Sequence, residues 1–197
     1  MQGIIRIIEK PEWLSWDDLA NCQYRAHESN KTFGVNMTCA NYTGNMLKDA
    51  VEDGVTLVAL NESNVLVGML SVVFRDINQW WHKGKAAYIC YVAVAPEFKG
   101  SGVYKILSKK ADEIVRNKSV NVKYLHTHVD NKIAIKAYQK DGYLKVRFSP
   151  GSGTNYYCVE MAQWIDGGGN RYICRLMYLI TELITRVIYK PGKIRRF

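Results

Sequence analysis

The residues best suited to binding chemistry lie where an apolar strand meets a helix, at 92–104. The run Val-Ala-Val-Ala-Pro-Glu-Phe-Lys-Gly-Ser-Gly-Val-Tyr predicts a buried strand, a turn with two glycines, and then a helix. Such a turn directs consecutive backbone N–H groups and the positive end of the helix dipole at one point, where a phosphate or diphosphate binds naturally. Glycine lets an anion approach without a Cβ in its path. A plain surface turn has the same pattern, so this segment alone does not identify a ligand.

A second cluster follows at 131–143. Its characteristic residues are Asn131, Ala134, Tyr138, Gly142 and Tyr143. Asn131 and Tyr138 are seven residues apart, and therefore lie on one face of a helix. The phenol of Tyr138 is protonated at neutral pH and can give its proton to a departing thiolate. The plainer interpretation is that Asn131 is an N-cap and that Tyr138 packs beside Ile135.

Together the two clusters resemble the GNAT family of acetyl-CoA-dependent N-acetyltransferases. In that family a strand ending near V-x-P leads into R/Q-x-x-G-x-G/A, and N-x-x-A-x-x-x-Y-x-x-x-G-F/Y follows the next strand. Here the first motif reads Lys99–Tyr104, and the second keeps every spacing. The resemblance covers residues 55–161 well and the first 54 residues only in their pattern of elements. The family pattern does not extend beyond Met161.

The resemblance implies that acetyl-CoA is the cofactor and that the glycine turn holds its pyrophosphate. A parted pair of central strands would bind the pantetheine arm like another strand, through amides of 91–94. The residues implied in cofactor binding are Val92, Val94, Lys99, Gly100, Ser101, Gly102, Val103, Tyr104 and Asn131. Two departures matter. Lys99 replaces Arg or Gln and keeps the charge without a planar guanidinium. Tyr104 replaces a small residue: a ring turned outward leaves the pocket intact, whereas a ring turned inward would displace the cofactor.

The resemblance also implies that Tyr138 protonates the coenzyme A sulfur. The identity of the general base stays undecided, because the residues at 85–88, Lys-Ala-Ala-Tyr, lack the glutamate that some family members have there. His126 and His128 share one face of a strand and can titrate near neutral pH, although both also fit polar positions on a sheet face. Other candidates are a water chain and the side chains of Glu28, Tyr88 and Tyr91.

Two segments occupy regions that shape the acceptor pocket in this family. They are the loop 31–37 and a predicted polar and aromatic loop, Arg75–Lys85. The residues expected to meet the acceptor are Phe33, Trp80, Trp81 and Tyr88. The two adjacent tryptophans could line a pocket or could equally pin their loop to the core.

The expected activity is transfer of acetyl to a primary amine of a small molecule. We expect direct attack in a ternary complex because no cysteine is placed as a nucleophile, and Cys90 fits the core of its strand. A non-catalytic module that senses acyl-CoA is one alternative. A protein that docks on a membrane or on a partner through the same fold is the other.

The composition limits which binding partners and which cellular compartment we expect. The 197 residues, 48% of them apolar, can bury a substantial core. The five cysteines show neither CxxC nor Cys/His metal spacing, so we expect reduced thiols in a cytoplasmic protein and no metal site. The first residues predict a strand and no signal peptide. The net charge of +9 suggests nucleic acid, but four basic residues lie in the last eight positions and no nucleic-acid motif accompanies them. We therefore expect no nucleic-acid partner.

The apolar spacing predicts an α/β fold of the α+β kind, with a mixed, mostly antiparallel sheet of about seven strands and flanking helices. The predicted strands are 3–8, 55–60, 65–74, 86–94, 122–129, 143–148 and 156–161. The predicted helices are 16–29, 41–52, 103–117, 131–140 and 171–189.

Residues 167–197 are predicted to form a separate segment after a domain spanning 1–166. Three glycines at 167–169 suggest a hinge into an amphipathic helix, Arg171–Tyr189, which a basic tail follows. Its charged residues argue against a membrane-spanning helix. The apolar side of this helix must be buried against something, and three alternatives remain: its own sheet, a second subunit in a homodimer, or a membrane surface. The last would make the protein peripheral to a membrane.

Overall fold

The chain folds into a seven-stranded sheet flanked by helices in the computed structural model, which describes residues 4–28, 30–31, 34–35, 37–151 and 156–188. The strands are β1 (Arg6–Glu9), β2 (Val55–Leu60), β3 (Leu66–Gln79), β4 (His82–Val94), β5 (Val122–His128), β6 (Leu144–Pro150) and β7 (Tyr157–Trp164). The helices are α1 (Trp16–Glu28), α2 (Gly44–Ala50), α3 (Val103–Asn117), α4 (Lys132–Lys140) and α5 (Arg171–Ile188). The predicted fold class is confirmed.

The sheet has the order β1-β2-β3-β4-β5-β7-β6. Neighbouring strands run antiparallel except β4 and β5, which run parallel. Alternation along each strand divides the core into two faces. In β2, Leu57 and Ala59 pack with α3, whereas Val58 and Leu60 pack with α1 and α2.

Helix α3 packs closely on β3. Its buried stripe has the spacing of one helical face and comprises Val103, Leu107, Ala111 and Val115. The approach depends on Gly68, because a Cβ there would lie 2.9 Å from Val103 Cγ1 and 3.0 Å from the carbonyl oxygen of Ala93. This packing fixes the first turn of α3 beside the end of β4.

The two central strands part soon after they meet. Parallel pairing joins Ala87 to Lys123 and Tyr88 to Tyr124, and no further pair joins β4 to β5 within the described residues. From Ile89 onward, backbone groups of β4 on the β5 side therefore have no ladder partner there. The sheet opens at this point into a V-shaped gap.

A β-bulge lies in β4 at the gap. Met69 pairs with Ala93 and Ser71 pairs with Cys90, so three steps on β4 match two on β3. Tyr91 takes a φ of 51°, a left-handed conformation that is uncommon for a bulky residue. The extra residue changes the alternation of side chains between the two sides of the bulge.

One predicted loop is wrong. Residues 75–85 are mostly paired, because β3 and β4 continue as a hairpin to the pair Gln79–His82, and Trp80 and Trp81 form its turn. The strand ends here are largely exposed and carry polar residues on both faces. A strand without an apolar face lacks the period-2 signal that predicts strands from sequence.

Helix α5 packs on β6 through a narrow stripe. Its buried residues are Cys174, Tyr178 and Thr185, and Thr181 is half-buried beside them. Phe148 N–H donates to Thr181 Oγ1 at 2.9 Å, and the Thr185 hydroxyl donates to the Phe148 carbonyl at 3.2 Å. The apolar side of the helix does not cover its own sheet, so that expectation is wrong. None of the described helices is both long and apolar enough to span a bilayer.

The close packing at Gly68 predicts the effect of adding one methyl group. Gly68→Ala places a carbon against Val103 and a backbone oxygen, so we expect a loss of about 1–3 kcal/mol in the free energy of unfolding. Urea unfolding followed by circular dichroism measures it. Val65→Ala, at an exposed side chain in the preceding turn, should change the same quantity by less than about 0.5 kcal/mol. Equal stability of the two variants would contradict the packing argument.

Candidate active site

A cavity of about 780 Å³ lies between the end of β4, the start of α3, α4 and the last turn of α1. Its lining includes Val92 and Val94 of β4, and Gly100, Gly102 and Val103 of the glycine turn. Gly100 and Gly102 have φ angles of 80° and 88°, values that favour glycine. The predicted ligand site of the turn is therefore a real opening in the protein.

The start of α3 suits an anion. Gly102 is the N-cap residue and supplies no side chain, and the first turn has no acidic residue. Within the described residues no side chain caps the first N–H groups of α3, which leaves them available to a ligand. Val103, Tyr104 and Lys105 of this turn all line the cavity. The helix dipole adds to the attraction for a phosphate.

The two departures from the family motif are accommodated by the fold. Tyr104 turns to α4, where its ring meets Tyr138 edge-on at 5.4 Å and its hydroxyl donates to Asp141 Oδ2 at 2.9 Å. The ring thus forms part of the wall and leaves the cavity open. Lys99 Nζ donates to the Ala26 carbonyl at 2.7 Å and thereby binds the last turn of α1. Burial lowers the pKa of Lys99.

Ser101 is the predicted cofactor residue whose side chain faces elsewhere. Its hydroxyl donates to the Phe98 carbonyl at 2.5 Å, and the residue lines a smaller neighbouring cavity. The side chain stabilises the turn, and the Ser101 backbone N–H donates to the same carbonyl oxygen at 3.2 Å. Contact of Ser101 with a cofactor stays a prediction.

A second cavity, of about 440 Å³, opens on the other side of the gap between β4 and β5. Its walls come from α1, the segment 37–42, the diverging strands, and the segment 149–158. Four residues line both cavities: His27, Val92, Asn131 and Tyr138. The two cavities therefore meet where the strands part.

Tyr138 and Asn131 stand at this junction. Asn131 is the N-cap of α4, with Oδ1 accepting from the Ala134 N–H at 3.3 Å, and its Nδ2 lies 3.4 Å from Thr127 Oγ1. The Tyr138 hydroxyl has no hydrogen-bond partner in the described part of the chain. Burial raises the pKa of Tyr138, and Cys39 and Asp141 raise it further. The hydroxyl therefore stays protonated at neutral pH and can act as a proton donor.

A buried carboxylate orients one of the two histidines. His126 Nε2 lies 2.6 Å from Glu160 Oε2, and the Trp81 indole N–H donates to Glu160 Oε1 at 2.8 Å. Burial alone would raise the pKa of Glu160, but the hydrogen bond and charge of His126, with the Trp81 hydrogen bond, lower it overall. With Nε2 donating to a carboxylate, Nδ1 of His126 carries the free lone pair. His126 is half-exposed and lines the second cavity.

His128 has a different environment. Its Nδ1 accepts from the Asp130 N–H at 3.0 Å, and its ring stacks on Tyr156 at 4.6 Å. Burial lowers the pKa of His128, which the nearby Asp130 partly opposes. Because one ring nitrogen already accepts a backbone hydrogen bond, His128 is a weaker candidate for a base than His126.

The remaining predicted site residues are distributed unevenly. Tyr88 lines the second cavity and lies 5.6 Å from the His126 ring, measured between centroids. Tyr91 also lines the second cavity. Glu28 lines neither cavity, and its Oε2 lies 2.7 Å from Lys31 Nζ. Phe33 lies outside the described residues.

Trp80 and Trp81 line neither of the two cavities. Trp81 is buried at the far end of the β3–β4 hairpin, against Trp164 and Tyr124, and supports His126 through Glu160. Sequence reasoning missed Glu160. Its signal was a single carboxylate inside the apolar strand β7, an arrangement that requires a buried partner.

The comparisons with known proteins agree with this geometry. The model of the acetyltransferase (GNAT) family matches residues 13–143, more than half of the chain. No curated protein matches the sequence. At the level of structure, the chain is similar to many solved proteins.

Three of these structures indicate the range of similarity. The NatC complex bound to Gag peptide and CoA is 14% identical over 81% of this chain and 98% of its own, with a TM-score of 0.63. PaiA N-acetyltransferase from Thermoplasma acidophilum, in complex with coenzyme A, is 16% identical over 82% of this chain and 99% of its own, with a TM-score of 0.58. Nourseothricin acetyltransferase is 23% identical over 57% of this chain and 66% of its own, with a TM-score of 0.50. At these identities the likeness shows a shared fold.

The adjacent tryptophans allow a matched test of the buried hydrogen bond. Trp81→Phe keeps an aromatic ring but leaves Glu160 Oε1 without its donor, so we expect a loss of about 1–3 kcal/mol in the free energy of unfolding. Trp80→Phe removes an indole N–H from a partly exposed turn and should cost less than about 0.5 kcal/mol. Chemical denaturation at pH 7 measures both. Similar losses in the two variants would argue against the role assigned to Glu160.

Proposed function

The chain belongs to the GNAT acetyltransferase family, and we propose that it acetylates a primary amine of a small molecule by direct attack in a ternary complex. One observation carries this proposal. Two cavities meet at Tyr138 and Asn131, where β4 and β5 part, so two substrates can reach one point from opposite sides. A ternary complex requires this arrangement, because both substrates must be bound at once.

Acetyl-CoA is the cofactor of this family, and it supplies an acetyl group activated as a thioester. The residues present fit it. The uncapped amides at the start of α3 and the turn at Gly100 and Gly102 support binding of the pyrophosphate. The side of β4 that lacks ladder partners, including Val92 and Val94, supports binding of the extended pantetheine arm.

The lining of the second cavity favours an acceptor with one amino group. It contains His27, His126 and His128 with several tyrosines, and no Asp or Glu among the residues that the structure describes. A polyamine would leave further ammonium groups without a carboxylate partner there. Aromatic rings instead offer stacking and apolar contact to a compact acceptor. An amine that also carries an aromatic or anionic group fits this lining better than a polycation.

We assign the role of general base to His126. The attacking nitrogen must lose a proton as its bond to the acetyl carbon forms, and His126 Nδ1 is the free acceptor on the wall of the acceptor cavity. Glu160 fixes the ring orientation and stabilises the imidazolium that results, in the way that a carboxylate supports histidine in other catalytic sites. Burial lowers the pKa of His27 to about 4, so His27 stays neutral and is a weaker base.

We assign the role of general acid to Tyr138. As the bond from carbon to sulfur breaks, the hydroxyl proton passes to the departing sulfur, and solvent then restores the proton. The hydroxyl is at the junction of the two cavities and stays protonated at neutral pH. Tyr104 and Tyr143, whose rings lie 5.4 and 5.9 Å from that of Tyr138, hold the phenol in place.

Tyr138→Phe tests the acid. The variant keeps the ring packing and removes the proton, so kcat should fall by about 10²-fold while the affinity for acetyl-CoA changes little. A turnover screen over amino sugars, amino acids, polyamines and peptide N-termini first finds the acceptor, and calorimetry gives the affinity. Tyr104→Phe is the control, since it removes a hydroxyl bonded to Asp141 away from the junction. An unchanged kcat for Tyr138→Phe would remove this tyrosine from the mechanism.

A second set of variants tests the base. His126→Gln should lower kcat/KM by about 10²-fold or more. Glu160→Gln keeps His126 but removes the charge behind it, and should cost about 10-fold. His128→Gln, which changes a histidine already engaged with the backbone, should cost less than about threefold. Activity lost in His128→Gln but retained in His126→Gln would overturn the assignment.

A further inference from the structure

The apolar side of α5 faces solvent. Its large apolar residues are 40–84% exposed. They are Tyr172, Ile173, Leu176, Leu179, Ile180, Leu183, Ile184, Val187 and Ile188. The helix packs on β6 through the other stripe, formed by Cys174, Tyr178, Thr181 and Thr185. A continuous exposed apolar face of this size marks an interaction surface.

Positive charge accompanies this face. Residues 171–197 contain seven Lys and Arg and one Glu, so six of the nine excess positive charges belong to this segment. Arg171 and Arg175 are exposed in the first turns of the helix. Lys190, Lys193, Arg195 and Arg196 follow within eight residues of the last described turn. The apolar face and the charge are therefore concentrated in the same short part of the chain.

We propose that α5 docks on an anionic lipid bilayer, with its apolar face in the headgroup region and its basic residues at the lipid phosphates. In this proposal residues 167–197 form a docking segment attached to the catalytic domain 1–166. An exposed apolar face beside a basic tail is the combination that binds anionic lipid surfaces. A second copy of the chain fits less well, because it would bring two segments of net charge +6 together.

The position of α5 connects this surface to the acceptor cavity. Thr181 and Thr185 are bonded to Phe148, and the next residues of the chain, 149–151, line the second cavity. Arg186 lies over the Phe148 ring at 5.0 Å, so the C-terminal half of the helix is the part nearest the cavity. Docking thus brings the acceptor cavity close to the lipid surface.

Vesicle co-sedimentation with the full chain tests the proposal and requires no catalytic activity. We expect binding to vesicles with about 30 mol % phosphatidylglycerol and at least about 10-fold weaker binding to pure phosphatidylcholine. Raising the salt from about 0.1 M to about 0.5 M should weaken the binding to anionic vesicles. Leu176→Glu/Leu183→Glu, at exposed positions, should lower the partition by about 10-fold or more without changing the unfolding midpoint.

The matched control is Trp13→Glu/Val65→Glu, which adds the same two charges at exposed apolar residues away from α5. It should bind vesicles as the unmodified protein does. Light scattering on the same samples measures the oligomeric state. A stable dimer that Leu176→Glu/Leu183→Glu dissociates, absence of vesicle binding by a monomer, or equal binding to neutral and anionic vesicles would each overturn the proposal.

Discussion

The architecture of the site depends on the parting of β4 and β5. Parallel neighbours that pair at only two positions leave a gap in the middle of the sheet, with main-chain groups exposed on the β4 side. The two cavities are arranged around this gap: the glycine turn and the start of α3 lie at one end, α4 with Tyr138 lies across it, and the second cavity lies beyond. Had the strands stayed paired, the sheet would be continuous and the two cavities would not meet.

A buried carboxylate beside a sheet is costly unless it is paired and hydrogen-bonded. Glu160 meets both conditions, with an indole donor on one oxygen and an imidazole on the other. The hairpin end that carries Trp81 packs in one cluster with Tyr124 of β5 and Cys174 of α5, and its indole N–H supports this carboxylate. A site residue and a distant turn are thereby linked through two hydrogen bonds.

The sequence predicted the parts of the fold that have a strong period or a fixed turn chemistry. Helix α3 has the predicted bounds, β2 likewise, and the glycine turn is where the motif placed it. The hairpin end at 75–85 was missed because its exposed strands have no apolar face. The Glu160–His126 pair joins residues 34 positions apart on neighbouring strands, so their contact depends on strand order, which apolar spacing alone does not supply. The apolar spacing of α5 predicted an amphipathic helix but left open what covers its apolar side, because that depends on packing that the sequence of one helix does not contain.

The bulge at Tyr91 changes the face of the sheet on which the even-numbered residues of β4 lie. Before the bulge, Tyr88 and Cys90 lie toward the α1 and α2 side and line the second cavity, whereas after it Val92 and Val94 lie toward α3 and line the large cavity, and Val92 lines both. Without the inserted residue, even-numbered positions would all share one face. One strand therefore contributes to the walls of both cavities. Of the two cavities, a substitution at Cys90 alters the lining of the second alone, whereas a substitution at Val94 alters the lining of the large one alone.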